Sequence, residues 1–332
     1  MYICILHPYY DENDPSTNLE DLVNYPQNYL TGHTCEVHFI HKESYEEQLL
    51  ELVKKGFDVF INLCDGTTNS DDDSPGFEVV ELLEKLGVAF TGATSDFYEP
   101  PRVQMKKVCR RRSIKTPGYV FATNIEQVKE AFSLKFPLIV KHPNGYASVG
   151  ITKSSRVETP EALLERANET LQTYGAALIE EFIEGREITV FVAENPDNSS
   201  KPLTYTPLEF MLPEGETFLH YDLKWSTESE IYYELVEDTK LSKKLQDAAR
   251  RLFIGLNGTG YARCDTRVTG EGDVYVLEIN PNCGIFFSAD DPGCADYILM
   301  NDDKGIEGFI DSMLQVALKR AKAVPELVES TS

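Results

Sequence analysis

The sequence predicts a mixed α/β protein in which a small parallel α/β domain leads into two α+β blocks. Three observations carry this reading. Short apolar strands alternate with helical patterns over about the first 95 residues, strands flank a glycine-bearing loop mid-chain, and two turn-linked strands near the C-terminus concentrate charge. Alternating strands and helices imply a parallel sheet, whereas strands joined by tight turns pair antiparallel.

In the first block, Tyr2–Leu6, Cys35–Ile40, Asp58–Leu63 and Val88–Thr91 read as strands. Ser44–Lys55 and Gly76–Leu86 have helical periodicity, with Gly87 placed to end the second. Ligands of such sheets bind beyond the carboxyl ends of the strands, an edge that here includes His7 and the acidic loop 62–75. That loop could receive a cationic amine, but its charge run reads first as a solvated segment.

The second block opens with a basic helical stretch, Arg102–Lys115, read as a solvated face before Thr116-Pro117. Thr123-Asn-Ile-Glu126 has the form of a capping box. Pro137–Lys141 is a strand, followed by the loop Asn144–Gly150 and a further strand. Thr159 caps a helix with Pro160 at its first position, Gly175 ends it, and Ala177–Ile183 is again a strand. In the third block, Leu241, Leu245, Ala249, Leu252 and Leu256 form one apolar stripe of a helix over about 239–256. The tail beyond Val324 is acidic and polar, and is expected to be disordered.

Composition excludes several function classes. The chain has 332 residues, enough for two or three cores, and no apolar run approaching the roughly 20 residues of a membrane helix. The apolar N-terminal stretch lacks a preceding basic segment, so no signal peptide is expected. A formal charge of −24 argues against nucleic acid and anionic membranes as partners, while leaving room for a nucleotide held by local cations. Seven scattered cysteines without a C-x-x-C pair suggest reduced thiols and a cytoplasmic setting. Cys283 reads as a buried spacer rather than a nucleophile.

Chemistry concentrates in Tyr261-Ala-Arg-Cys-Asp265 and Val274-Tyr-Val-Leu-Glu-Ile-Asn280, separated by the turn Thr269-Gly-Glu-Gly-Asp273. Strand alternation puts Arg263 with Asp265 on one face, and Glu278 with Asn280 on one face. Paired as a hairpin, the strands would join two carboxylates, a carboxamide and an arginine, a set suited to magnesium and the phosphates it carries. Lys141 ends an apolar strand just before the glycine-bearing loop, an arrangement that can hold an anion, although alone it is an ordinary hairpin. Glu180, Glu181, Glu187 and Lys224 are unremarkable singly.

Taken together, these segments resemble the ATP-grasp superfamily, in its D-alanine–D-alanine ligase-like branch. Phe136–Gly150 is similar to the family's lysine strand and phosphate-covering loop, and Leu178–Val190 to its adenine-binding hinge. Gly260–Asp265 and Leu277–Asn282 are similar to its metal and oxyanion segments. The resemblance implies two α+β subdomains gripping ATP (98–184 and 185–325), after a Rossmann-like pre-ATP-grasp domain (1–97) and before a tail (326–332). It implies that Lys141, Ser148 and Arg102 contact the phosphates. Glu180, Glu181, Phe182 and Ile183 would surround adenine, and Glu187 would hold the ribose. Lys224 would bind the terminal phosphates. Asp265, Glu278 and Asn280 would coordinate two Mg²⁺ ions, with Mn²⁺ an alternative, and Arg263 would stabilise an oxyanion. The expected reaction joins a small-molecule carboxylate to an amine through an acyl phosphate, releasing ADP and phosphate. A homodimer is also implied.

The sequence departs from the family in informative places. Lys106 aligns with one usual lysine, but Arg102 stands where a phosphate-binding lysine is usual. The phosphate loop reads Tyr146-Ala-Ser-Val-Gly150 rather than Gly-Ser-Ser-Val-Gly. The glutamate motif that orients the first D-alanine is missing from His7 to Thr17, and Pro-Gly-Met-Thr with its serine becomes Cys283–Ser288. The expectation is therefore a ligase for amino acids or similar molecules other than D-alanine. A catalytically weak ATP-binding regulator and a small-molecule kinase are the alternatives.

Overall fold

The computed structural model describes residues 1–9, 24–68, 73–145, 148–224 and 231–323. The tail from 324, residues 146–147 of the phosphate loop, 69–72 of the acidic loop and 10–17 of the N-terminal segment lie outside that description.

Strands β1 (Tyr2–Pro8), β2 (Thr34–Ile40) and β3 (Val59–Asn62) form a parallel sheet in the order β2-β1-β3. Alternation on β1 serves two cores. Cys4 and Leu6 pack with Leu49 of helix α1 (Tyr45–Lys54) and Val79 of helix α2 (Phe77–Lys85), while Ile3 and Ile5 face the C-terminal part of the chain. The expected strand Val88–Thr91 shrinks to a single parallel bridge between Phe60 and Phe90. The Phe60 amide donates to the Ala89 carbonyl and the Thr91 amide to the Phe60 carbonyl, and Gly87 and Gly92, both at positive φ, bound this short pairing.

Helix α3 (Arg102–Arg111) precedes a second, antiparallel sheet. Its strands β4 (Tyr119–Ala122), β5 (Leu138–Lys141), β6 (Arg156–Val157) and β7 (Ala177–Glu181) lie in the order β4-β7-β5-β6. Helix α4 (Pro160–Tyr174) packs on it, capped by Thr159 and ended by Gly175 at φ +72°. The capping box expected at Thr123–Glu126 is displaced by one residue. Asn124 caps the one-turn helix Ile125–Val128, and Gln127 rather than Glu126 reaches back to the Thr123 amide. With its backbone extended, Asn124 takes the cap position, where its side-chain oxygen accepts from the first free amides.

The third sheet runs β11-β10-β8-β12-β13, with β9 (Leu203–Thr204) beside β8. Its strands are β8 (Arg186–Ala193), β10 (Leu208–Met211), β11 (Tyr232–Leu235), β12 (Tyr261–Val268) and β13 (Val274–Pro281). Helix α5 (Thr239–Gly255) buries Leu241, Leu245, Ala249 and Leu252 against Val190, Cys264 and Ile279. Each of these leucines contributes roughly 1.5–3 kcal/mol relative to exposure.

On the other face, Phe191 and Tyr261 join Ile3, Ile5 and Ile61 with helices α6 (Cys294–Met300) and α7 (Gly305–Ala323) in one core. The first and third sheets thus share an interior, and their seam is a backbone contact. A Cβ at Gly260 would lie 2.2 Å from the Gly92 carbonyl carbon, so only glycine fits.

Candidate active site

Register places the charged residues. Arg263 stands opposite Asn280 and Asp265 opposite Glu278 across β12 and β13, and residues directly opposite share a face. The two carboxylates are already compensated. Asp265 accepts from Arg263 through Nε at 2.9 Å and Nη2 at 3.0 Å, from Thr189 Oγ1 at 2.8 Å and from Asn280 Nδ2 at 2.9 Å. Glu278 accepts from Arg102 Nε at 2.7 Å, with Nη2 at 2.6 Å. Arg102 also donates to the carbonyls of His142 and Gly145, tying α3 to the loop after β5.

A second charge cluster lies in the central sheet. Glu180 on β7 is paired with Lys106 of α3 and with Lys141 of β5, the latter at 2.7 Å. Burial alone would raise this carboxyl, but the two lysines prevail and hold it at about 2. Burial also lowers Lys106, against the pull of Glu180. Lys106 further donates to the Leu277 carbonyl at 2.8 Å, where a bulge in the β12–β13 ladder leaves that group free of the sheet.

The remaining candidates complete one cleft of about 800 Å³, which every candidate side chain lines. A cavity of that size accommodates a nucleotide-sized ligand. Ser148 sits in the left-handed region at φ +62° beside the Lys141 strand. Glu181 is turned to the backbone, accepting from the amides of Gly118 at 3.1 Å and Lys135 at 3.0 Å. Phe182 packs on Phe218 and receives the guanidinium of Arg267 at 4.8 Å from its ring centre. Burial raises the Glu187 carboxyl, with Arg267 3.9 Å away opposing the shift. Burial and the nearby Arg263 lower Lys224. His7 lies away from the cleft, buried against Phe39, and its Nε2 has no hydrogen-bond partner among the described residues. Burial pushes the Cys283 thiol up, which suits a wall residue and not a nucleophile.

Three contributors were not singled out from the sequence. Arg267 follows Arg263 and Asp265 at the same two-residue spacing, so strand alternation carried that signal. Thr189 holds Asp265 from the neighbouring strand, and Asn282 accepts from the Ala93 amide at 2.9 Å, joining the site to the first block. Those two pairings are non-local and leave no sequence pattern.

Among the described residues, no three His, Cys, Asp or Glu side chains converge as a metal cage. The available hard oxygens are two carboxylates and a carboxamide on one strand pair. That sparse set fits Mg²⁺, which binds through one or two carboxylates and fills its remaining positions with water and substrate phosphates.

The family model described as D-ala D-ala ligase C-terminus matches residues 104–289, more than half the chain. The chain belongs to the D-Ala-D-Ala ligase family. The D-alanine–D-alanine ligase of Francisella philomiragia is 28% identical over 278 residues, covering 82% of this chain and 84% of that protein. The Bacillus anthracis D-alanine–D-alanine ligase complexed with ATP has a TM-score of 0.69 at 18% identity, covering 97% of this chain and 98% of that one. VanG D-Ala:D-Ser ligase from Enterococcus faecalis has a TM-score of 0.71 at 17% identity, covering 95% and 99%. The fold is therefore ATP-grasp, and this family member is an ATP-grasp ligase forming carbon–nitrogen bonds. No described helix is long and apolar enough to cross a membrane.

Proposed function

We propose that the protein uses Mg-ATP to join a small carboxylic acid, an amino acid or similar molecule other than D-alanine, to an amine. The observation that carries this is the face-sharing set Arg263, Asp265, Glu278 and Asn280, in one cleft with Lys141 and Lys224. A carboxylate oxygen attacks the γ-phosphorus, the bond to ADP breaks, and an acyl phosphate results. The amine nitrogen then attacks the acyl carbon, phosphate leaves and the nitrogen loses a proton.

The residue roles are those that the family resemblance implies. Lys141, Arg102, Ser148 and Lys224 hold phosphates, for which positioning and charge neutralisation are the main requirements. Glu180, Glu181, Phe182 and Ile183 enclose adenine, and Glu187 accepts from ribose hydroxyls. Arg263 stabilises the oxyanion of the tetrahedral intermediate. Asp265, Glu278 and Asn280 would hold two Mg²⁺ ions, which supply charge neutralisation when bound. Residues 1–97, 98–184 and 185–325 are the proposed domain units, in a cytoplasmic homodimer.

The test is incubation with Mg-ATP and pooled amino acids, reading phosphate release and new masses. Phosphate release that requires both a carboxylate and an amine, with an amide product, is expected. A phosphorylated product without an amide would make the protein a kinase, and binding without turnover would make it a regulator.

A further inference from the structure

The cleft face of β12 continues past its charged residues into a second, smaller space. Alternate residues of the strand share that face in the order Asp265, Arg263, Tyr261, each about 7 Å from the last. Tyr261 lines a cavity of about 60 Å³ that adjoins the main cleft, with Asp65, Asn282, Cys283 and Phe287 on the wall of both. A cavity of about 150 Å³ accepts benzene, so this smaller one takes a substituent of roughly two or three non-hydrogen atoms.

The polar groups of this cavity have hydrogens left to give. Asn62, the last residue of β3, is 5% exposed and lines it, and its Oδ1 accepts the Cys64 amide at 3.1 Å. Asn282, held in the left-handed region at φ +49°, has its Oδ1 taken by the Ala93 amide. Each carboxamide oxygen is thus engaged by backbone, and no hydrogen bond among the described residues uses either nitrogen. The Tyr261 ring is fixed in the shared core by Phe191 and Phe309, whose ring centres lie 5.8 and 5.6 Å away. Tyr261 is only 3% exposed, yet its hydroxyl also has no hydrogen-bond partner among the described residues. Polar groups buried this deeply are ordinarily hydrogen-bonded, so these three await an acceptor.

We infer that this cavity receives the side chain of the acid that the enzyme activates, and that this side chain is short and carries a hydroxyl or carboxamide oxygen. The inference rests on the ligase reading for the position of the reacting carboxylate, which Arg263 marks. A carboxylate held there leaves its substituent one strand step further on, at Tyr261. The chemistry of the lining then selects among substituents. Asp65 is the one charged side chain among the described residues that line the cavity, so a second carboxylate meets no counter-charge. An ammonium group has no lone pair to accept from two carboxamide nitrogens and a phenol. An alkyl group leaves those donors unpaired, which disfavours alanine. An oxygen accepts from them. Asn62, Tyr261 and Asn282 are accordingly the specificity-determining residues for the acid.

Serine and 2-aminobutyrate have side chains of equal size and differ by a hydroxyl for a methyl group. Calorimetric titration of both enantiomers of each, into the protein loaded with Mg²⁺ and a non-hydrolysable ATP analogue, needs no turnover. The tighter-binding enantiomer of serine should bind about tenfold more strongly than the matching 2-aminobutyrate, and phenylalanine should not bind. Asn62→Asp keeps the oxygen that accepts from Cys64 and removes the donor. It should cut the serine preference severalfold while nucleotide affinity stays within about twofold, a split that a general loss of packing would not give. Tyr261→Phe keeps the packed ring and should lower the same ratio even where the Asn62 variant fails to fold. Equal binding of the pair, tighter binding of 2-aminobutyrate or phenylalanine, a preference unchanged in both variants, or no binding of any of these amino acids overturns the inference. Selective binding of serine with no amide formed from serine and pooled amines under Mg-ATP would instead overturn the ligase reading alone.

Discussion

Arg102 and Glu278, 176 residues apart, form an ion pair in which Nε and Nη2 of the arginine both address Oε2 of the glutamate, at 2.7 and 2.6 Å. The same guanidinium holds two carbonyls of the loop after β5. One side chain thus connects the phosphate loop of the central sheet with an expected metal ligand of the third.

Arg102→Ala should lower stability by about 2 kcal/mol, below the figure for a fully buried pair because Glu278 is partly open to solvent. Arg102→Lys should cost about half as much, since it keeps the charge and loses the fork that reaches the carbonyls. Millimolar Mg²⁺ should restore more stability to Arg102→Ala than to the wild type, by supplying the missing counter-charge. Denaturant titrations with and without Mg²⁺ check this, and equal Mg²⁺ effects on both proteins would sink it.

Glu278→Gln should reduce turnover by about 10²–10³-fold, the scale of removing one electrostatic contact from a transition state. Thermal unfolding should change by only a few degrees, because the carboxamide keeps the shape and one acceptor oxygen. Steady-state phosphate release and calorimetry measure the two effects. A fully active variant would remove Glu278 from the metal site.

Lys106 and Glu180 are each 1% exposed; removing Lys106 leaves Glu180 with Lys141 as its one cation, and removing Glu180 leaves Lys106 with only the Leu277 carbonyl. Lys106→Ala should destabilise by about 3 kcal/mol, and adding Glu180→Gln should cost much less than the sum of the singles. A double-mutant cycle in denaturant yields the coupling. A value near zero would show that Lys141 alone suffices to neutralise Glu180.

Acid stability should depend on two groups of opposite sign. Burial lowers His7 to about 4, so below its unfolded value near 6.5 only the unfolded chain takes the proton, and stability falls by about 2 kcal/mol by pH 5. Burial raises Asp296 to about 6, so the folded state takes its proton first and stability rises by about 1 kcal/mol over the same interval. His7→Asn should therefore gain stability between pH 7.5 and 5, and Asp296→Asn should lose more than the wild type. Denaturation midpoints at both pH values decide it. Parallel pH profiles for the wild type and both variants would contradict it.

Local chemistry made part of this protein legible in its sequence. The β12–β13 hairpin was readable because alternation and a Gly-rich turn are both short-range signals, and the α5 stripe because Leu241 to Leu252 repeats at helical spacing. The strand expected at Val88–Thr91 pairs with β3 at a single bridge, because Gly87 and Gly92 turn the backbone at either end, a limit set by conformation and not by its apolar character. What the sequence hid were the partners. That Glu180 meets two lysines, Glu278 meets Arg102, and Asp296 meets Phe286 depends on chain crossings between sheets, and nothing in the neighbouring residues announces them.

The contact of Gly92 with Gly260 has a mechanical consequence. With a shared interior on one side of it and the Asn282–Ala93 bond beside it, the first and third sheets are joined through both packing and backbone. The four-stranded sheet has a core of its own, built from Leu138, Val140, Ile179 and the apolar face of α4. The grip of that sheet on the joined pair runs through Arg102, which makes one guanidinium the strap across the cleft.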